Sequence, residues 1–239
     1  MSNPAELTSL MTNLFNRIND VDIWQINMSE FYSKEEELFA LLSETEKIRT
    51  KKFAFPHLST RYTIAHSILR LLLSRYTGLE PNEINFKTRV KGKPYLSINP
   101  HQLEFNLSDS HERALIGFSM KDEIGVDIQV IDPNILSKGL QNTIFTENER
   151  KIFRKHPNPL EAFYCGWTHK EATMKLLGTG LYIEPAAIEV PLVLASETRT
   201  IHYENTERFI RSFLLGTQYY VAIASNKPDF KINELNFTL

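Results

Sequence analysis

An acidic residue between two lysines is the feature of this chain that most directly suggests chemistry. The segment Trp167–Leu181 predicts a helix that ends at Gly178, because glycine is the usual residue at a left-handed helix cap. Glu171 and Lys175 are four positions apart and therefore share one face of that helix, with Lys170 beside them. A carboxylate flanked by two ammonium groups can hold a divalent metal ion and a polyanion together.

A second acidic residue lies in the middle of a predicted strand. The segment Ile124–Val130 alternates strictly, so its apolar residues face one side while Gly125, Asp127 and Gln129 face the other. Aspartate is depleted in strands, so Asp127 opposes the local propensity. We therefore expect that something other than strand stability requires this carboxylate.

In this order the two segments resemble the 4′-phosphopantetheinyl transferases of the larger, Sfp type. That family carries a G-(I/V)-D-(I/V)-E strand followed by W-x-x-K-E-(A/S)-x-x-K-x-x-G-x-G-L. The second pattern is complete here, and the first is complete except that Gln129 stands in place of its last glutamate. Further segments that match the family, in its order, are Leu42–Phe53, Gly92–Pro94, Phe105–Ser110, Phe145–Glu149 and Ala222–Phe230.

The mixture of helical and strand patterns predicts an α+β fold with mostly antiparallel strands. The resemblance implies a pseudo-dimer of two similar α+β subdomains with the active site in the cleft between them. Residues 1–121 would form the subdomain on the side of the coenzyme 3′-phosphate, and residues 122–239 the subdomain on the metal and pyrophosphate side. No exact sequence repeat relates the two halves.

The periodicity also predicts where the helices and strands lie. Ser43 and Glu46 predict a capping box that opens a short basic helix reaching about Phe53. The other predicted helices are Ser59–Tyr76, stopped by Gly78, and Thr146–Leu177, interrupted by Pro157 and Pro159. The predicted strands are Val21–Met28, Asn85–Arg89, Phe105–Leu107, Ala114–Ser119, Ala187–Leu194, Thr200–Tyr203, Phe209–Leu215 and Tyr219–Ala224.

The resemblance implies that the phosphopantetheine arm of coenzyme A moves to a serine hydroxyl with release of adenosine 3′,5′-bisphosphate. Phosphoryl transfer of this kind depends on positioning and charge neutralisation. The implied cofactor is Mg²⁺, with Mn²⁺ as an alternative, held by Asp127 and Glu171, more weakly by Gln129, and with Glu149 at an acidic position nearby. Glu171, Asp127 and Lys175 are the implied catalytic residues, and Glu171 also helps to deprotonate the serine.

Coenzyme contacts are implied for a set of basic and polar residues. This set comprises Lys170 and Lys175 at the pyrophosphate, Lys93, the candidates Arg49, Lys52 and Arg61 for the 3′-phosphate, and Ser108 and Asp109. A basic helix face is also commonly just solvated, which is the alternative for Arg49, Lys52 and Arg61.

Asp109 departs from the family, which has a histidine in contact with coenzyme phosphate at that position. A carboxylate about 4 Å from a phosphate would repel it by about 1 kcal/mol or more. Asp109 therefore turns away, is protonated, or joins the metal ligands.

Composition limits the remaining classes. A formal net charge of −2 argues against a nucleic-acid or membrane-surface protein. The single cysteine, Cys165, is expected to be a buried thiol. A secretory leader and a membrane-spanning apolar run are both missing, which favours a cytoplasmic protein. The resemblance implies a monomer whose partners are coenzyme A and an acyl, peptidyl or aryl carrier protein.

A binding module and a metal hydrolase are the two alternative classes of function. A binding module for coenzyme A or a carrier protein, inactive because of Gln129 and Asp109, would keep the fold without catalysis. The intact set of Lys170, Glu171 and Lys175 argues against it. A metal hydrolase is disfavoured because the seven histidines show no H-E-x-x-H spacing.

Overall fold

The structure, a computed structural model, describes residues 20–239, apart from the side chains of residues 137, 138 and 181. The described helices are α1 (Glu35–Ala40), α2 (Glu44–Thr50), α3 (Pro56–Thr77), α4 (Gln141–Ile144), α5 (Glu147–Phe153) and α6 (Pro159–Leu177). The strands are β1 (Asp20–Asn27), β2 (Phe86–Thr88), β3 (Pro94–Leu96), β4 (Leu103–Ser110), β5 (Arg113–Met120), β6 (Ile124–Val130), β7 (Arg199–Tyr203), β8 (Thr206–Leu215), β9 (Tyr219–Ser225) and β10 (Lys231–Asn236). This mixture confirms the predicted α+β class.

Two four-stranded sheets dominate the fold. The first has the order β10-β1-β5-β4 and the second the order β6-β9-β8-β7, while β2 and β3 form a separate hairpin. All neighbours pair antiparallel except β1 and β10, which run parallel. The predicted boundary at residues 121 and 122 falls in the turn between β5 and β6. Since β10 joins the first sheet, that sheet takes strands from both sides of this boundary.

Each sheet is covered by one long helix, and the sheets also pack against each other. Buried residues of α3, including Ile64 and Ile68, form one core with the first sheet. Residues of α6, including Phe163 and Met174, form a second core with the second sheet. A third apolar cluster joins strands of both sheets, including Ile23 of β1. The contact between the two sheets is therefore apolar, buried and closely packed.

The edge strands β4 and β6 lie side by side, and polar side chains of β4 join them. Alternate residues of β4 accept hydrogen bonds from alternate backbone amides of β6, since successive side chains of a strand point to opposite faces. The pairs are Asn106 Oδ1 with Val126 N at 2.8 Å, Ser108 Oγ with Ile128 N at 3.4 Å, and Ser110 Oγ with Val130 N at 3.0 Å. These three contacts are called the β4–β6 seam below.

Several local predictions are confirmed. Ser43 and Glu46 form the capping box of α2. Gly78 and Gly178 take the left-handed conformation after α3 and α6, with φ of +74° and +64°. Pro159 is the first residue of α6, which therefore begins after the predicted break. Among the described residues, no helix is long and apolar enough to span a membrane.

The predicted strand Ala187–Leu194 is wrong. The structure has a short 3₁₀ turn at Pro185–Ala187 followed by irregular extended chain. Ile188, Val190 and Leu192 are buried, as an alternating pattern requires. Their backbone groups, however, are hydrogen-bonded to side chains of α5 and α6 and not to a neighbouring strand. The alternating pattern therefore predicted correctly which residues are buried, but not the secondary structure.

Candidate active site

A glycine brings the two acidic elements together. At Gly125 of β6, a Cβ atom would lie 2.0 Å from the carbonyl oxygen of Ala172 and 2.4 Å from the amide nitrogen of Leu176. Only glycine permits such an approach, so α6 crosses β6 in backbone contact. This crossing places the Glu171–Lys175 face of the helix next to Asp127, two residues along the strand.

Asp127 is a buried carboxylate that is held by three neighbouring donors. Its residue is 1% exposed. Lys175 Nζ lies 2.7 Å and Ser108 Oγ 3.0 Å from Oδ1, and Gln129 Nε2 lies 3.2 Å from Oδ2. Lys175 also donates to Ser108 Oγ at 2.7 Å. Because a buried charge requires a partner, this network fixes the orientation of the Asp127 carboxylate.

Glu171 is the second carboxylate of the site. Burial and the nearby Asp127 charge raise the pKa of Glu171 to about 7, while Lys175 opposes that rise. Two carboxylates that repel each other in this way gain stability from a cation placed between them. Lys175, which shares a helix face with Glu171, forms its ion pair with Asp127.

The oxygen donors of Asp127, Glu171 and Gln129 suit Mg²⁺ better than they suit a metal ion that takes all its ligands from the protein. Among residues 20–239, no group of three or more His, Cys, Asp or Glu side chains could hold a metal ion. Mg²⁺ commonly takes one or two carboxylates and completes its shell with phosphate oxygens and water. Asp127 and Glu171, with the amide of Gln129 beside them, meet that requirement.

The structure does not bring Lys170 and Glu149 to this site. They form an ion pair of 2.7 Å on the opposite side of α6, and both side chains are 0% exposed. Glu149 also caps α5 and accepts from Val190 N at 2.7 Å. Lys170 donates to the carbonyl oxygens of Pro185, at 3.0 Å, and Ile188. Lys170 therefore uses two of its interactions to hold the 185–190 segment under the helix and the third to pair with Glu149.

Lys93 also forms its hydrogen bonds with groups other than Asp127 and Glu171. Its Nζ donates to the backbone carbonyls of Ile124 and Leu176, each at 3.0 Å, and its stem packs against Gly178. Burial lowers the pKa of Lys93. This lysine comes from the loop before β3 and ties it to the start of β6 and the end of α6, so it positions those elements.

The basic residues of the first half line a cavity of about 250 Å³ with aromatic walls. The lining includes Arg49, Arg61, Tyr62 and His66. A larger cavity of about 470 Å³ shares Arg49, Tyr62 and His66 and continues toward Phe86 and Phe105. Guanidinium groups beside aromatic faces suit a phosphate-bearing heterocycle. Lys52, exposed at the end of the same basic segment, lies outside both linings.

Asp109 turns away from Asp127. Ser108, its neighbour on β4, faces the carboxylate site, so Asp109 points to the other face of the strand. There its Oδ2 lies 2.5 Å from Arg61 Nη2. Asp109 therefore lies on the side of the basic cavity, where it lines the same pocket as Arg49 and Arg61, and not beside Asp127.

Sequence reasoning missed two residues that support the site. Asn106 and Ser110 flank Ser108 in the β4–β6 seam and hold β6 in place. The signal was present, since positions 106, 108 and 110 are all polar in a strand whose apolar residues alternate with them. Trp167 is partly buried against the second core and lines another cavity, to which Gln129 also contributes.

Comparison with known proteins covers most of the chain. A family model described as the 4′-phosphopantetheinyl transferase superfamily matches residues 123–224, and one described as 4′-phosphopantetheinyl transferase, N-terminal, matches residues 23–119. The chain is 32% identical to the 4′-phosphopantetheinyl transferase HetI of Nostoc sp. over 167 residues, which cover 68% of this chain and 70% of the relative.

Two Bacillus subtilis proteins match over a greater share of their length. A 4′-phosphopantetheinyl transferase is 26% identical over 200 residues, covering 82% of this chain and 88% of the relative. The 4′-phosphopantetheinyl transferase Sfp is 24% identical over 211 residues, covering 87% of this chain and 93% of the relative.

Proposed function

This chain belongs to the 4′-phosphopantetheinyl transferase superfamily, and we propose on that premise that it loads acyl, peptidyl or aryl carrier proteins from coenzyme A. The carrier serine oxygen attacks the phosphorus that bears the pantetheine arm. A new P–O bond to serine forms, and the pyrophosphate P–O bond breaks. Adenosine 3′,5′-bisphosphate leaves with the electron pair, and the serine proton passes to a base.

The observation that carries this proposal is the pairing of Asp127 with Lys175 beside Glu171. Asp127 and Glu171 would hold Mg²⁺, with Gln129 as a neutral third neighbour. When bound, the ion neutralises charge on the pyrophosphate oxygens. Lys175, fixed by Asp127 and Ser108, presents a positive charge at the edge of the same site. All these residues come from one chain, which supports action as a monomer.

Glu171 is the proposed base for the serine proton. Its side chain is less buried than that of Asp127, so Glu171 is the more accessible of the two carboxylates for the serine proton. The Asp127 carboxylate is already bound by three donors, so it is less available to an incoming serine. We therefore assign proton acceptance to Glu171 and fixed coordination to Asp127.

Intact-mass spectrometry of an apo carrier protein incubated with the chain, coenzyme A and Mg²⁺ tests this function. We expect a gain of one phosphopantetheine, lost without Mg²⁺ and slowed about a hundredfold or more in Glu171→Gln. Glu147→Gln is the matched control, because it removes the charge of an exposed glutamate that pairs with the exposed Lys151.

Three kinds of apo carrier should be offered, namely acyl, peptidyl and aryl. A carrier that gains the arm equally well with Glu171→Gln would refute the assignment of the base. Failure of all three carriers, despite measurable binding of coenzyme A, would refute transfer and leave the binding module as the function.

A further inference from the structure

We propose that Asp109 determines how strongly this chain distinguishes coenzyme A from 3′-dephospho-coenzyme A, by occupying Arg61 in the anion cavity. The inference rests on the proposed function for the identity of the coenzyme. Asp109 is the acidic residue in the lining of the 250 Å³ cavity, which is otherwise basic and aromatic or apolar. With Asp109 in place, the preference for the 3′-phosphorylated donor is weak.

The cavity has the character of a phosphate site from its own side chains. Among residues 20–239, Arg49 forms no hydrogen bond or ion pair through its side chain, and its guanidinium lies 5.4 Å from the centroid of the Tyr62 ring. Tyr62 stacks on His66 with their centroids 3.9 Å apart. An unpaired guanidinium over an aromatic floor is available to an incoming phosphate.

Arg61 is the second cation of this cavity, and it is not available in the same way. Its side chain is 19% exposed, and its Nη2 is held by the Asp109 carboxylate. Its Nε is buried and, within the described part of the chain, has no hydrogen-bond partner. Arg61 therefore keeps one donor unused while another is committed to an acid. A phosphate that reaches Arg61 must displace Asp109 or lie beside it.

The charge of Asp109 should weaken the binding of a phosphate in this cavity. Asp109 cancels one of the two guanidinium charges and repels a dianionic phosphate a few ångströms away. Its side chain is 40% exposed, so solvent reduces the repulsion. Removing the charge should strengthen binding of a phosphate in this cavity by roughly three- to tenfold. A donor that lacks this phosphate gains nothing.

Calorimetry with adenosine 3′,5′-bisphosphate and adenosine 5′-monophosphate tests the inference without a carrier protein. Asp109→Asn keeps the size of the side chain and removes its charge. We expect the bisphosphate to bind roughly three- to tenfold more tightly to this variant while the monophosphate changes less than about twofold. Asp109→Ser, which also frees the Arg61 guanidinium, should give the same selective gain.

Two control variants separate this effect from general changes in charge. Glu112→Gln removes a nearby carboxylate that accepts from Tyr32, not from Arg61, and should leave both ligands within about twofold of the parent. In Arg61→Gln, the added change Asp109→Asn should lose the part of its effect that comes from freeing Arg61 and keep the part that comes from direct repulsion of the phosphate.

Transfer assays then compare kcat/KM for coenzyme A and 3′-dephospho-coenzyme A in the parent chain and in Asp109→Asn. The ratio should rise by the same three- to tenfold, roughly, in the variant. Equal gains for both donors, or weaker binding of the bisphosphate, would overturn the inference. If neither donor supports transfer, the proposed function fails, while the calorimetric comparison still decides the role of Asp109.

Discussion

At the scale of single residues, this protein places ionisable groups in its interior and gives each a different partner. Asp127 is balanced by Lys175, and Glu149 by Lys170. His169 is buried as well, between the carbonyl of Pro191 and the hydroxyl of Ser212, at 2.8 Å each. Only the first of these groups lies beside the proposed reaction site. A lysine and a glutamate in a transferase motif can therefore serve packing.

The neutral Gln129 leaves the metal site one charge short of a site with three carboxylates. Gln129→Glu should raise the affinity for Mg²⁺ about tenfold, because a third carboxylate strengthens attraction for the cation. Without the ion, the same change should lower the melting temperature, since the new charge faces Asp127, to which Gln129 now donates. Melting temperatures measured across a series of Mg²⁺ concentrations report both effects. An unchanged dependence on Mg²⁺ would place Gln129 outside the metal shell.

His169 should make the folded state sensitive to acid. Burial lowers the pKa of His169 to about 4, below its unfolded value near 6.5. Between about pH 6.5 and pH 4, the unfolded chain binds a proton at this histidine and the folded chain does not. The contribution of His169 to the free energy of unfolding is therefore fully present above about pH 6.5, and about 3 kcal/mol of it is lost as the pH falls towards 4. Urea unfolding of the parent and His169→Gln at about pH 5 and about pH 7 measures this loss.

The exposed His202 supplies the control for that measurement. His202→Gln should keep the pH dependence of the parent, whereas His169→Gln should lose part of it. A parent chain equally stable at both pH values would contradict the assignment of His169 as a buried neutral group.

At the scale of elements, the crossing of α6 over β6 decides whether the site exists. Gly125→Ala should destabilise the fold by about 3 kcal/mol or more, since its methyl group would meet helix backbone. Gly78→Ala is the control: it has open space around it and left-handed backbone, so it should cost only about 1 kcal/mol. Urea unfolding compares the two, and equal losses would mean that α6 yields easily to the added methyl group.

Most helices and strands could be predicted because their apolar residues recur at helical or strand spacing, or run continuously where an element is wholly buried. The long helix at Pro56–Thr77 and strands β5, β6 and β9 present continuous apolar positions to a core. The failures have physical causes. The 187–194 segment alternates because it packs under α6, where Lys170 and Glu149 supply its hydrogen bonds. Strand β10 was missed because its exposed residues interrupt the apolar pattern and its partner is a distant strand.

The candidate site shows the same division between local and long-range information. The pattern around Asp127 and Glu171 could be recognised in the sequence, and the structure places these residues together. The pairing of Asp109 with Arg61, 48 positions away, could not be predicted, because it depends on how α3 lies against β4. The destination of Lys93 was unpredictable for the same reason, since its two acceptors are backbone atoms of other elements.

At the scale of the whole molecule, the segment around β10 fastens the second half to the first. Phe237, just after β10, is 2% exposed in the first core and contacts Trp24 and Phe31. Phe237→Ala should cost about 3–5 kcal/mol by opening a cavity. Leu239→Ala, at an exposed position, should cost less than about 0.5 kcal/mol. Chemical denaturation measures both, and a small loss for Phe237→Ala would mean that this segment is dispensable.

The parallel pairing of β1 with β10 also has a consequence for synthesis on the ribosome. Gln25 and Glu234 are hydrogen-bonded neighbours that lie 209 positions apart in the chain. The ribosome therefore completes the entire second sheet before the first sheet receives its edge strand. Until then, β1 has an unpaired edge and the Phe237 site is open, which invites pairing with other chains.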